Sequence, residues 1–223
     1  MCGRPTSRGT SQGMTEFASH QPPLRALALV CSLKPSPAAS SSEKLAGEVL
    51  DELAGHGVTA ETVRVVDHDV RPGVEVDMGA GDAWPAIREK LLASDILVVA
   101  TPTWVGHMSS VAQRVLERLD GELSETDDTG RPVISGKVAV VAVVGNEDGA
   151  HKITADLFQA LDDVGFTIPA QAATYWNDEA MGGRDYTDLD ETPEAVASTT
   201  KTLAANAAHL ARLLKGAPYS QAG

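Results

Sequence analysis

The chain has 223 residues, 43% of them hydrophobic and 22% charged, with a net charge of -13. That is ample for one domain with a buried core, and so acidic a chain is a poor nonspecific ligand for nucleic acid or an anionic membrane, which need Lys and Arg to displace counterions. Two cysteines, Cys2 and Cys31, make no disulfide framework and suit a reducing compartment, so a cytoplasmic protein is expected. No apolar run reaches the roughly 18–20 residues of a membrane helix. Residues 1–23 lack the apolar centre of a secretory signal and are rich in Ser, Thr, Gly, Gln and Pro, which reads as a disordered tail. Met14 is an alternative start. Arg4, Arg8 and Glu16 leave this tail at +1, so the remainder carries -14.

In chain order, Arg25 to Val30 reads as a short buried strand. Ser42 to Gly57 follows as a helix, with Leu45, Ala46, Val49, Leu50 and Leu53 at helical spacing. Val58 to Val66 alternates as a second strand, and His68 to Asp82 reads as a loop. Trp84 to Ala93 is a short helix with Pro85 in its first turn. Asp95 to Ala100 is the third strand. Ser109 to Leu119 is an amphipathic helix. Asp120 to Gly136, with five acids, reads as an exposed insertion. Lys137 to Val144 is the most apolar strand and is placed centrally. His151 to Gly165 is a helix, Thr167 to Thr174 a last strand, Trp176 to Thr192 a loop and Pro193 to Lys215 a long final helix. Strands alternating with helices imply a parallel sheet covered on both faces, and five strands suit the order 2-1-3-4-5.

Open sheets of this kind bind ligands at the carboxyl ends of their strands. Three loops leave strands there and enter helices. In the first, Cys31 to Ser42, free N–H groups and the helix dipole suit a phosphate. Ser40, Ser41 and Ser42 add hydroxyls, one of them as helix cap, with Lys34 and Lys44 as nearby cations. The alternative is a capped turn with no ligand. In the second loop, Ala100 to Ser109, Pro102 is expected to break the strand ladder. Gly106 lets the backbone approach a ligand, and Trp104 either flanks an aromatic ring or joins the core. His107 is expected to face solvent. The third loop is Gly145-Asn146-Glu147-Asp148-Gly149, two glycines bracketing three polar residues. Glu147, Asp148 and His151 make only a weak case for a metal. Tyr175 and Trp176 either wall the same site or close the core. There is no G-x-G-x-x-G, G-x-S-x-G or H-E-x-x-H pattern.

With these residues placed, the chain resembles the NADPH-dependent FMN reductases of the flavodoxin-like superfamily over roughly residues 25–215. Ser32-Leu33-Lys34 and Ser40-Ser41-Ser42 resemble the family's Gly-Ser-x-Arg phosphate loop and its later Ser. Pro102-Thr103-Trp104-Val105-Gly106-His107-Met108-Ser109 resembles its Pro-x-Tyr-x-x-x-x-Ser flavin loop, and Gly145 to Gly149 stands where the third, ring-contacting loop lies. Cys31 stands for Gly, Lys34 for Arg and Trp104 near the usual Tyr. The resemblance implies a flavodoxin-like three-layer sandwich over 24–216, followed by a flexible 217–223. It implies that FMN is bound by Ser32, Lys34, Ser40, Ser41 and Ser42 at its phosphate and by Pro102, Thr103, Trp104, Val105 and Gly106 at its ring, with Gly145, Asn146, Glu147, Asp148 and Gly149 beside it. It implies hydride transfer from NAD(P)H through the flavin to a quinone, free flavin or other small acceptor, in a homodimer or tetramer. The flavin carries that chemistry, so no catalytic side chain and no metal are expected. A flavodoxin-type electron carrier and a non-catalytic binding protein on the same fold are the alternatives.

Overall fold

The computed structural model describes residues 23–220. The expected tail, with Cys2 and Met14, therefore lies outside the described residues except for Pro23, as do 221–223. Six strands and five helices follow in the order β1 Leu24–Val30, α1 Ser41–Gly55, β2 Val58–Arg64, α2 Trp84–Leu92, β3 Ile96–Trp104, β4 His107–Met108, α3 Ser110–Leu119, β5 Val138–Gly145, α4 Ala150–Val164, β6 Ala173–Asn177 and α5 Glu194–Gly216. Five strands form a parallel sheet in the order β2-β1-β3-β5-β6, and β4 pairs only with β3, antiparallel. With that hairpin strand set aside, the order is 2-1-3-4-5, a flavodoxin-like sandwich.

Alternation along each strand divides the interior. Ala26, Ala28 and Val30 of β1 and Val140, Ala142 and Val144 of β5 face α1 and α5. Leu27, Leu29 and Cys31, with Ala139, Val141 and Val143, face α2, α3 and α4. Alanine on the first face lets α5 come close through Ala204, Ala207, Ala208 and Ala211. Both faces of the central strands are covered, which is why they read as continuous apolar runs.

The structure corrects four expectations. β2 ends at Arg64, and Val65–Asp67 turns off as a 3-10 helix. β3 runs on to Trp104, through Pro102. In the regular ladder the residue donating to the Cys31 carbonyl would be Pro102, since Cys31 N–H already donates to Ala100. Proline has no N–H; the Ser109 hydroxyl donates to that carbonyl instead, at 2.7 Å. The last strand lies later than expected. Thr167 makes one bridge to Val138; the chain then leaves the ladder at Pro169 and at Gln171, whose φ is 54°, and rejoins it as β6. Finally, 120–136 is not simply an exposed insertion. Glu122 and Ile134 are fully buried, and Glu122 takes a two-point ion pair from Arg88 at 2.7 and 2.9 Å.

Candidate functional site

At the carboxyl edge of the sheet the first loop, the β3–β4 hairpin and the third loop surround one open cleft enclosing about 160 Å³. From the first loop Ser32, Lys34, Ser40, Ser41 and Ser42 line it. From β3 come Pro102, Thr103 and Trp104, and from the third loop Gly145 and Asn146. The enclosed volume is below the roughly 300–1,000 Å³ of ordinary ligand pockets. The cleft is therefore open at Trp104, which is 50% exposed and not a core residue.

The first loop is braced from beneath by the end of β2. Arg64, with a side chain 4% exposed, donates to the Ala38 carbonyl at 2.7 Å and to the Lys34 carbonyl at 3.4 Å, and is ion-paired with Glu43. Asp67 accepts the Ser36 hydroxyl at 2.6 Å and the Ser36 N–H at 2.8 Å, and these bonds hold its carboxyl below the usual range. Ser40 is the cap of α1, its hydroxyl accepting the Glu43 N–H. The amides of Ser41 and Ser42 open the helix and have no carbonyl one turn back. Lys44 is no free cation: it donates to the carbonyls of Tyr186 and Leu189. Cys31 lies wholly buried under the loop, and burial pushes its thiol up to about 12.

Val105 and Gly106 form the hairpin tip, both with positive φ, 54° and 70°. Such a two-residue turn suits the twist of the strands, but a β-branched residue there is strained. Glu147 holds the tip: its carboxylate accepts the Val105 N–H at 3.0 Å and the Gly106 N–H at 3.2 Å. Beside it Gly149, at φ 145°, packs against Gly106, and a Cβ on Gly149 would lie 2.8 Å from the Gly106 Cα. Val105, Gly106, Glu147, Asp148 and Gly149 are thus joined to one another and do not line the cleft. The backbone approach expected of Gly106 is made to the neighbouring loop. His107 is exposed and meets Lys152 at 3.2 Å. No cluster of three metal-ligating side chains exists among the described residues.

The segment after β6 supplies a wall that no motif announces, beside Trp176, which walls the cleft as one of its two expected readings had it. Asp185, Tyr186 and Thr187 line the cleft, as does Trp176. Trp176 and Tyr186 pack as rings with centroids 5.3 Å apart. Tyr186 donates to Glu48 at 2.6 Å, and burial, then the Glu48 carboxylate, raise its hydroxyl above the ordinary phenol range. The segment is pinned by Asp178 N–H to the Gly145 carbonyl and Met181 N–H to the Asn146 carbonyl. Tyr175 points to the opposite face, toward His151.

Six buried side-chain polar atoms among the described residues have no hydrogen-bond partner, and three border this cleft or its braces: Thr103 Oγ1, Arg64 Nε and Asn177 Oδ1, the last opposite Gly145 in the ladder. Such atoms are costly unless something else satisfies them.

Residues 24–180 match the family model described as NADPH-dependent FMN reductase. The chain is 34% identical, over 88% of its length and 80% of the other's, to 8-demethyl-8-aminoriboflavin-5'-phosphate synthase of Streptomyces davaonensis. It is 35% identical, over 89% of its length, to a Mycobacterium bovis protein named divalent metal cation transporter MntH, of which it spans only 30%. No helix among the described residues is long and apolar enough to cross a membrane. The crystal structure of RosB with bound 8-demethyl-8-formylriboflavin-5'-phosphate superposes with a TM-score of 0.80 at 32% identity, covering 89% of this chain and 82% of that one. The chain belongs to the NADPH-dependent FMN reductase family.

Proposed function

We propose that the cleft binds FMN without a covalent bond and that the protein is an NAD(P)H-dependent oxidoreductase acting on a small acceptor in the cytoplasm. The observation carrying this reading is the convergence, on one sheet edge, of a helix start whose first amides have no helical acceptor, with serine hydroxyls, a half-exposed Trp104 and the partnerless Thr103 hydroxyl. These features fit the parts of FMN: an anion at the helix start, an aromatic ring against Trp104 and a polar group within reach of Thr103. When bound, the flavin supplies the hydride chemistry.

The chain's own residues orient it. Ser40, Ser41 and Ser42 hold the phosphate end. Thr103 and Asn146 offer polar contacts deeper in the cleft, and Trp104, braced through the Glu147-held hairpin, fixes the plane of the ring. Tyr186 and Trp176 close the side wall against water. The open cleft suits a homo-oligomer in which a neighbouring copy covers the exposed part of the ring.

The test is an absorption spectrum of purified protein with added FMN, then with NADPH under anaerobic conditions. Bound-flavin bands that bleach are expected. Bands that persist would instead favour an electron carrier reduced by another protein, and absence of bound flavin would remove the reading. A second reading, with the flavin as substrate rather than resident cofactor, is favoured by the 0.80 TM-score to RosB, whose bound molecule is a modified riboflavin phosphate. Mass spectrometry of the flavin released after turnover separates the two: unchanged FMN supports the reductase, an altered ring the second reading.

A further inference from the structure

We propose that Arg64 keeps the phosphate end of the cleft open by holding Glu43 out of it, and so sets a preference for a 5'-phosphorylated flavin over one lacking the phosphate. The inference rests on reading the cleft as a flavin site. Ser40-Ser41-Ser42-Glu43 has the S-x-x-E spacing of a capping box, in which the cap hydroxyl takes the third residue's N–H and the Glu carboxylate reaches back to the cap's own N–H. Half of that box is formed: the Ser40 hydroxyl accepts the Glu43 N–H at 3.3 Å. The other half is not, because the Glu43 carboxylate is drawn to Arg64. A box closed in both directions does exist in the same molecule, between Asp185 and Asp188.

The consequence falls on three amides. Ser40 N–H makes no hydrogen bond among the described residues, and those of Ser41 and Ser42 have no helical acceptor. All three residues line the cleft. With Glu43 in its box, a carboxylate would sit over these donors and repel a phosphate. With Glu43 on Arg64, the donors stay uncovered in residues that line the cleft. Arg64 is suited to this task. It comes from the end of β2, beneath the loop, and its bonds to the Lys34 and Ala38 carbonyls turn those oxygens away from the cleft. Its side chain is 4% exposed, so it needs an anion, and Glu43 is the one in contact, with the Asp67 carboxylate farther off. Arg64 is a positioning residue, acting through Glu43 and the loop backbone. Where the resemblance leads one to expect a loop arginine, Lys34 stands, and the guanidinium enters from a different strand.

The test compares FMN with riboflavin, by quenching of flavin fluorescence, on R64M, E43A and the double variant. R64M is expected to weaken FMN by about ten-fold or more and riboflavin by no more than about two-fold, as loss of a charge-assisted interaction implies. In the double variant E43A removes the competing carboxylate, so FMN affinity recovers at least in part. Equal losses for both flavins in R64M, or no recovery in the double variant, would overturn the proposal. E43A alone covers the case in which R64M does not fold. It removes the carboxylate that would compete for the amides, so inorganic phosphate raises its Tm at least as much as that of the wild type. A smaller rise in E43A overturns the proposal. A wild type that binds neither flavin defeats the flavin reading separately, and the phosphate-dependent shift in Tm still decides the role of Arg64.

Discussion

On the α2–α3 flank, two long acidic segments are locked by arginines whose every bond is made inside the protein. Arg118 and Asp82 are both wholly buried, 2.7 Å apart, and Arg118 also donates to the carbonyls of Arg71 and Glu75 while lying over the Trp84 ring. Arg88, partly exposed, holds the buried Glu122 with two bonds and pairs with Glu125 as well. At the carboxyl edge of the sheet the arrangement is reversed. Thr103 Oγ1 is buried without a partner, the first amides of α1 are open, and Trp104, Val105 and Met181 are exposed. Both regions are rich in polar groups near the surface. The flank, where the charged groups satisfy one another and Trp84 Nε1 alone of the buried unpartnered atoms falls, holds the fold together, whereas a region that leaves amides and a hydroxyl unsatisfied around a cleft is prepared for a ligand.

The largest effect is expected on the flank. R118M strands the buried Asp82 carboxylate and costs about 3–5 kcal/mol in urea unfolding, while the folded fraction binds FMN as before. A change in FMN affinity with little change in stability would reverse the roles assigned to the two regions. The same pair predicts a pH effect. Burial raises the Asp82 carboxyl, but the Met78 N–H, the Arg118 guanidinium and the amides of Trp84 and Arg71 outweigh it, lowering it from 3.8 to about 2. A lowered folded value stabilises above the unfolded one and is lost as pH falls through the folded one. Thermal melts between those values should therefore fall with acid in the wild type and fall less steeply in D82N; identical slopes would argue that Asp82 is not the group responsible.

At the cleft the effects are smaller and appear in binding. E147A frees the strained Val105–Gly106 tip, so amide exchange at these two residues should rise about ten-fold or more, from the loss of charge-assisted bonds. Global stability should stay within about 1 kcal/mol, as expected of a local opening. Unchanged exchange would show that Glu147 does not hold the hairpin. T103V removes a hydroxyl that the protein itself leaves without a partner. Its expected cost is about five-fold in FMN affinity, the value of one hydrogen bond, with stability unchanged or slightly raised. Destabilisation without loss of affinity would mean that the hydroxyl serves the fold.

Much of this contrast was half legible in the sequence. The run Val138 to Gly145 announces a central strand because both its faces are buried, and the serines at 40–42 announce a helix start. Thr103 and Trp104 could be placed beside the cleft because they follow an apolar strand. The arginine locks could not be read. Arg118 finds Asp82 36 residues away, and charge alone does not name a partner. Arg64 left one weak trace, a charge among Val63, Val65 and Val66. The displaced last strand depends on the turn at Pro169 and Gln171, and Tyr186 reaches the cleft only through its bonds to α1.

The most direct measurement is amide hydrogen exchange across the whole chain, with and without saturating FMN. Protection is expected at residues 40–42, at 103 and 104 and at 145 and 146, and none in 68–82 or 120–136. Protection confined to the flank, or none anywhere, would contradict it.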